Sequence, residues 1–196
     1  MSKTVEFFFD FGSPASYLAW TQLPEITQQA GAEIIWQPML LGAVFKATGN
    51  QSPAMIPSKG RYMFQDLARF AKRYQVEMNF NPHFPINTIT LMRGAAGYLG
   101  TEHFARYVEC VFRAMWVDKQ NLGDPQVLGE FLAKNGFDPQ AFLAMVSDEA
   151  VKERLKTITE DAIKRGAFGA PTMFVGEQLF FGQDRLDFVR EALANG

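Results

Sequence analysis

Two short runs in this chain carry residue types in an order that can do chemistry. In the first, Gly12-Ser13-Pro14 follows the β-rich, mostly apolar run Val5 to Phe11. Serine is a good helix N-cap, and proline at the first helical position gives up an N–H that has no partner there anyway, so a strand should end and a helix begin at this point. Ser13 Oγ and the first free N–H groups of that helix then point the same way and form a seat for an anion such as a thiolate or carboxylate. On these residues alone, Ser13 reads as an ordinary cap more readily than as a site, because serine before proline at a helix start is more often just that. In the second run, Gly169-Ala170-Pro171-Thr172, an X-Pro step stands directly before an apolar strand, a place where trans proline is also tolerated.

Other catalytic chemistries are poorly supplied. A single cysteine, Cys110, rules out an intramolecular disulfide, a Cys-rich zinc site and a CxxC redox pair. The two histidines, His83 and His103, lack neighbours at metal-ligand spacing, so no metal site is expected. With 19 Lys+Arg against 21 Asp+Glu the formal charge is −2, which offers no basic stripe for nucleic acid or an anionic membrane. The stretch from Met1 to Asp10 is too poor in basic residues, and its apolar run too short, for a signal peptide. No apolar run approaches the roughly 20 residues of a membrane span. A soluble, cytoplasmic protein is expected.

The elements that must position the two runs follow from periodicity. Val5 to Phe11 reads as a strand buried on both faces. The helix opened by Ser13 should kink or restart at Pro24 and stop at Gly31, and Glu33 to Pro38 reads as a second strand, which completes a βαβ unit. From Met39 to about Gly166 the spacing becomes helical. Leu41 to Pro57 reads as an ordered loop with short helical turns, Tyr62 to Tyr74 as an amphipathic helix, and Asn79 to Asn87 as a Pro-broken loop. Helices are predicted at about 88–100, 101–116, 124–135, 138–146 and 148–166, with Asp138 and Ser147 as caps of the last two. Strand character returns at Thr172 to Val175 and Leu179 to Phe181 around a Gly176-Glu177 turn, and Asp184 is expected to cap a final helix. The fold class is α/β: a thioredoxin-like core, residues 1–38 and 167–196, with an all-α domain, 39–166, inserted between its βαβ and ββα halves.

Three segments in this order, Phe9-Asp10-Phe11-Gly12-Ser13-Pro14-Ala15-Ser16-Tyr17, Phe168 to Phe174 and Phe181-Gly182-Gln183-Asp184-Arg185-Leu186, closely resemble the 2-hydroxychromene-2-carboxylate isomerases. These group with the kappa-class glutathione transferases in the DsbA-like branch of the thioredoxin fold. Thr48-Gly49-Asn50 and Ser58 to Met63 extend the resemblance between them.

The resemblance implies a glutathione-dependent enzyme. Ser13 matches the family's catalytic serine, standing where redox relatives carry a cysteine, and would donate a hydrogen bond to the glutathione sulfur. Ala170, with Pro171 cis, would offer its backbone to the cysteinyl unit. Gln183 and Asp184 match the pair that holds the γ-glutamyl end, and Asn50 and Lys59 match polar residues reaching in from the insertion. Tyr62, Phe64 and Trp116 are candidate walls of the acceptor pocket, and Asp10 a candidate for tuning the site by its charge. Gly12 and Ala15 depart from bulkier residues in better-known relatives and loosen the pocket. The implied reaction interconverts 2-hydroxychromene-2-carboxylate and trans-o-hydroxybenzylidenepyruvate, in a family that is typically homodimeric. The alternatives are a kappa-like glutathione transferase or peroxidase, and a non-catalytic thioredoxin-like binding or chaperone module.

Overall fold

The computed structural model describes residues 3–195. Met1, Ser2 and Gly196, the outer ends of the segments assigned to the core and the opening of the stretch read against a signal peptide, lie outside the described residues. Strand β1 (Lys3–Phe9) is mostly apolar from Val5 onward because it is one of the two inner strands of a four-stranded sheet ordered β2-β1-β3-β4, and its side chains alternate between two covered faces. Phe7 and Phe9 enter a large cluster on one face and Phe8 a smaller one on the other, all fully buried. Strand β2 (Ala32–Pro38) pairs parallel with β1, whereas β3 (Thr172–Val175) runs antiparallel to β1 and pairs antiparallel with β4 (Gln178–Phe181).

Helix α1 (Pro14–Ala30) continues through Pro24 without restarting and ends at Gly31, whose φ of 62° suits a residue without a side chain. The segment predicted as loop from Leu41 holds a regular helix, α2 (Leu41–Thr48), and a 3₁₀ turn, Pro53–Met55. Tertiary contact overrides its Gly- and Asn-rich composition: Val44 is buried in the smaller cluster, and the Leu41 N–H is held by Asp10 Oδ2 at 2.9 Å. Helix α3 (Pro57–Tyr74) starts five residues ahead of Tyr62, with Pro57 at its first position, and so carries Lys59.

Helices α4 (Ile89–Tyr98), α5 (Phe104–Trp116), α6 (Pro125–Lys134), α7 (Pro139–Ser147) and α8 (Glu149–Lys164) follow, and α9 (Leu186–Asn195) closes the chain. Two predicted caps are corrected. Asp148, not Ser147, caps α8 by accepting from the Ala150 N–H at 2.7 Å, while Ser147 Oγ bonds back to the Leu143 carbonyl. Asp184 sits inside a 3₁₀ turn, Gln183–Arg185, ahead of α9.

The larger cluster joins β1, α1 and α9 to residues of α3 through α8, so the helical segment and the sheet share one apolar core. On the other face, Arg165 closes the smaller cluster. Its guanidinium lies 3.9 Å from the Phe174 ring centroid and grips Glu6 through two bonds of 2.9 and 2.7 Å. Both side chains are about a quarter exposed (27% and 23%), so the fork geometry and the ring contact count for more than in an open surface pair. Arg165→Ala is expected to cost roughly 1–3 kcal/mol in urea unfolding, and Glu6→Gln less, because the cation–π contact survives.

Candidate functional site

The two chemistry-bearing runs, 157 residues apart, meet: Ser13 Oγ donates to the Ala170 carbonyl at 2.9 Å. Ser13 also caps α1 as expected, its Oγ accepting from the Ser16 N–H at 3.1 Å, and it is only 4% exposed. The Ala170–Pro171 bond is cis. Two backbone N–H groups beside this contact, those of Ala15 and Ala170, have no acceptor among the described residues. Both residues line a cavity of about 1220 Å³ that opens over the start of α1.

Asn50, Lys59, Tyr62, Gln183 and Asp184 line the same cavity. Asn50 Nδ2 donates to the Phe168 carbonyl at 2.9 Å, and thereby fixes the loop after α2 against the segment before β3. Lys59 is exposed at the rim and makes no ion pair among the described residues. The carboxylate of Asp184 bonds Arg185 at 2.6 Å. Gly182, with φ of 94°, lets the chain turn there, and a Cβ on it would collide with Asp184 Oδ1.

Phe64 and Trp116 do not line the cavity. Phe64 packs on Phe80 and Phe84, with ring centroids 4.3 and 5.7 Å away. Trp116 is fully buried, and its Nε1 donates to the Phe11 carbonyl at 2.8 Å, where the apolar face of α5 meets the end of β1. A tryptophan at the end of an apolar helix is here a core residue that satisfies a buried carbonyl.

Phe168, Phe181 and Thr88 also line the cavity, outside the candidates that the sequence offers. Phe168 and Phe181, about 40% and 39% exposed, pack ring to ring at 4.6 Å on the wall. Gly169 makes that pairing possible, since a Cβ on it would lie 2.7 Å from Phe181 Cε2. Thr88 donates to Asp10 Oδ1 at 2.7 Å in the floor. Phe168 and Phe181 belong to the quoted motifs and were legible as motif residues, whereas no pattern in the sequence connects Thr88 to Asp10. Burial pushes the Asp10 carboxyl above its ordinary range, against the hydrogen bonds from Leu41, Gly12 and Thr88 that favour the charged form.

The turn that holds Gln183 is anchored from α3, where the Tyr74 hydroxyl donates to the Gln183 carbonyl at 2.7 Å. Burial pushes this phenol up to about 12. An unfolded tyrosine ionises near pH 10, so the folded state loses stability as pH rises from there toward about 12, where Tyr74 itself ionises. Tyr74→Phe should flatten part of that alkaline loss in a pH series of thermal melts.

The sheet order, the capped helix start and the X-Pro step facing it define a DsbA-like thioredoxin fold, and the family model of the DSBA-like thioredoxin domain matches residues 4–194. The chain is 33% identical to a 2-hydroxychromene-2-carboxylate isomerase of Sphingobium xenophagum, over 98% of this chain and 99% of the relative. It is 28% identical to glutathione S-transferase kappa 1 of Rattus norvegicus, over 95% and 89%. A solved structure of a 2-hydroxychromene-2-carboxylate isomerase matches with a TM-score of 0.86 at 34% identity, covering 98% of this chain and 95% of the other. The chain belongs to the 2-hydroxychromene-2-carboxylate isomerase family. No described helix is long and apolar enough to cross a membrane.

Proposed function

We propose that this protein is a glutathione-dependent isomerase that interconverts 2-hydroxychromene-2-carboxylate and trans-o-hydroxybenzylidenepyruvate-type compounds. The observation that carries the reading is the contact of Ser13 Oγ with the Ala170 carbonyl on the wall of a large cavity at the start of α1. Its chemistry suits glutathione: a hydroxyl and a helix N-terminus for a sulfur anion, and an unpaired N–H beside a carbonyl for a peptide unit. The cavity volume of about 1220 Å³ exceeds the roughly 300–1,000 Å³ that usually holds one small ligand, which leaves room for a tripeptide and an aromatic acceptor together.

When bound, glutathione supplies a thiolate that adds reversibly to the conjugated carbonyl compound, so that the former double bond can rotate before the thiolate leaves unchanged. Ser13 carries one hydroxyl proton, which now rests on the Ala170 carbonyl. Turned toward sulfur, the same proton stabilises the thiolate and frees the carbonyl for a ligand N–H. The Ser16 N–H donates to Ser13 Oγ throughout and makes that hydroxyl a stronger donor. The Ala15 N–H is the second donor to the anion. Lys59 holds the acceptor carboxylate and stabilises negative charge developing on the acceptor's carbonyl oxygen. Gln183, Asp184 and Asn50 hold the remainder of the tripeptide, with Asp184 facing its α-ammonium group and shared with Arg185. Tyr62 borders the acceptor. On this reading the enzyme works in the cytoplasm, as a homodimer.

The exposed apolar rim, where Met55 is 70% and Tyr62 61% exposed, favours a second reading as a kappa-like transferase for apolar electrophiles. The two differ in the fate of glutathione. Conversion of trans-o-hydroxybenzylidenepyruvate should require glutathione and leave the total free thiol unchanged. Loss of one thiol per product would establish the transferase, and conversion at the same rate without glutathione would overturn the proposal.

A further inference from the structure

The Asp10 carboxyl lies at the Ser13 turn and takes no part in the steps above. It is 2% exposed yet lines the cavity. Oδ1 accepts from the Gly12 N–H at 2.8 Å and from Thr88 Oγ1 at 2.7 Å, and Oδ2 accepts from the Leu41 N–H at 2.9 Å. Gly12 precedes Ser13, Leu41 is the first residue of α2, and Thr88 immediately precedes α4. Neither Leu40 at the cap of α2 nor Thr88 at the cap of α4 supplies a side-chain capping bond of its own. One carboxylate therefore ties the starts of three helices together and serves as the missing cap of α2. The tie is tight, for a Cβ on Gly12 would lie 3.3 Å from both Asp10 Oδ1 and Thr88 Cγ2.

We infer that Asp10, held by Thr88, is a positioning residue that sets the Ser13 turn against α2 and fixes the electrostatic potential met by an anion at Ser13. This rests on the reading above that Ser13 marks the anion's seat. Helix N-termini attract negative charge, and here the start of α2 already has one on Asp10. A carboxylate so close to Ser13, out of water, opposes a second anion there and moderates the attraction of α1. The other titratable or charged groups lining the cavity are Lys59, Tyr62 and Asp66 on α3 and Asp184 before α9; α1, α2 and α4 contribute none.

The test needs no glutathione, so it can fail or succeed apart from the isomerase proposal. Ser13→Cys places a thiol at the seat, with Cys110→Ala removing the native one, and its ionisation is followed by ultraviolet thiolate absorbance. Adding Asp10→Asn removes a negative charge and should lower the introduced thiol's pKa by about one pH unit. Adding Thr88→Val instead strips a hydrogen bond that favours the charged carboxyl and should lower it too, by less, while Thr88→Ser should restore the starting value. Loosened packing alone would do the reverse, leaving Thr88→Ser, which lacks the methyl group, further from the starting value than the near-isosteric Thr88→Val. An unchanged pKa on adding Asp10→Asn overturns the inference. Should Asp10→Asn fail to fold, because its Nδ2 would face the Leu41 N–H, identical values for Thr88→Val and Thr88→Ser overturn it instead.

Discussion

Ser13→Ala is expected to lower turnover by about 10²–10³-fold, the usual loss when a single hydrogen-bond donor to a developing anion is removed. The hydroxyl has two structural tasks, accepting from the Ser16 N–H and donating to the Ala170 carbonyl. Losing an N-cap costs about 1 kcal/mol, which in a chain of this size shifts Tm by only about 2–4 °C. A large loss of rate beside a small loss of stability marks a chemical role. Rate and Tm falling little together would leave Ser13 as a cap and nothing more.

Trp116 should show the reverse. Trp116→Ala empties the largest fully buried side chain of the core and is expected to cost about 3–5 kcal/mol, lowering Tm by about 6–20 °C. Trp116→Phe keeps most of the packing but strands the Phe11 carbonyl that Nε1 satisfies, for about 1–3 kcal/mol. In both variants that remain folded, KM for the acceptor should be unchanged. A raised KM with Tm unmoved would return Trp116 to the pocket wall, against its place in the core.

Features set by consecutive residues are legible in this sequence, and features set by distant contacts are not. The run Val5 to Phe9 and the Ser13-Pro14 helix start were legible because burial on both faces and capping chemistry are local properties of consecutive residues. The turn at Gly31 was legible for the same reason. Helix α2 was not, since its first N–H depends on Asp10, 31 residues away, and Val44 is buried in a cluster built by β1, β3 and α8. Local rules also misplaced a cap by one residue at Ser147, where two adjacent polar side chains compete and the carboxylate of Asp148 faces the open N–H groups.

The site was legible to the extent that motifs keep their residues together. Ser13 and Ala170 meet, and Asn50, Lys59, Tyr62, Gln183 and Asp184 share their cavity. Phe64 and Trp116 went astray because aromatic content says nothing about direction, and both rings turn into packing. Thr88 was invisible because its importance is a distance of 2.7 Å across 78 positions, which no spacing in the sequence encodes.

In the proposed mechanism Ser13 and the start of α1 stabilise the thiolate of bound glutathione. Calorimetric titration of glutathione into the wild type and Ser13→Ala, repeated in buffers of different ionisation enthalpy at several pH values, tests it most directly because the buffer dependence counts protons released. Saturable binding with proton release near neutral pH is expected in the wild type, and weaker binding with less release in Ser13→Ala. No binding to the wild type at millimolar glutathione, or equal proton release from both proteins, would contradict it.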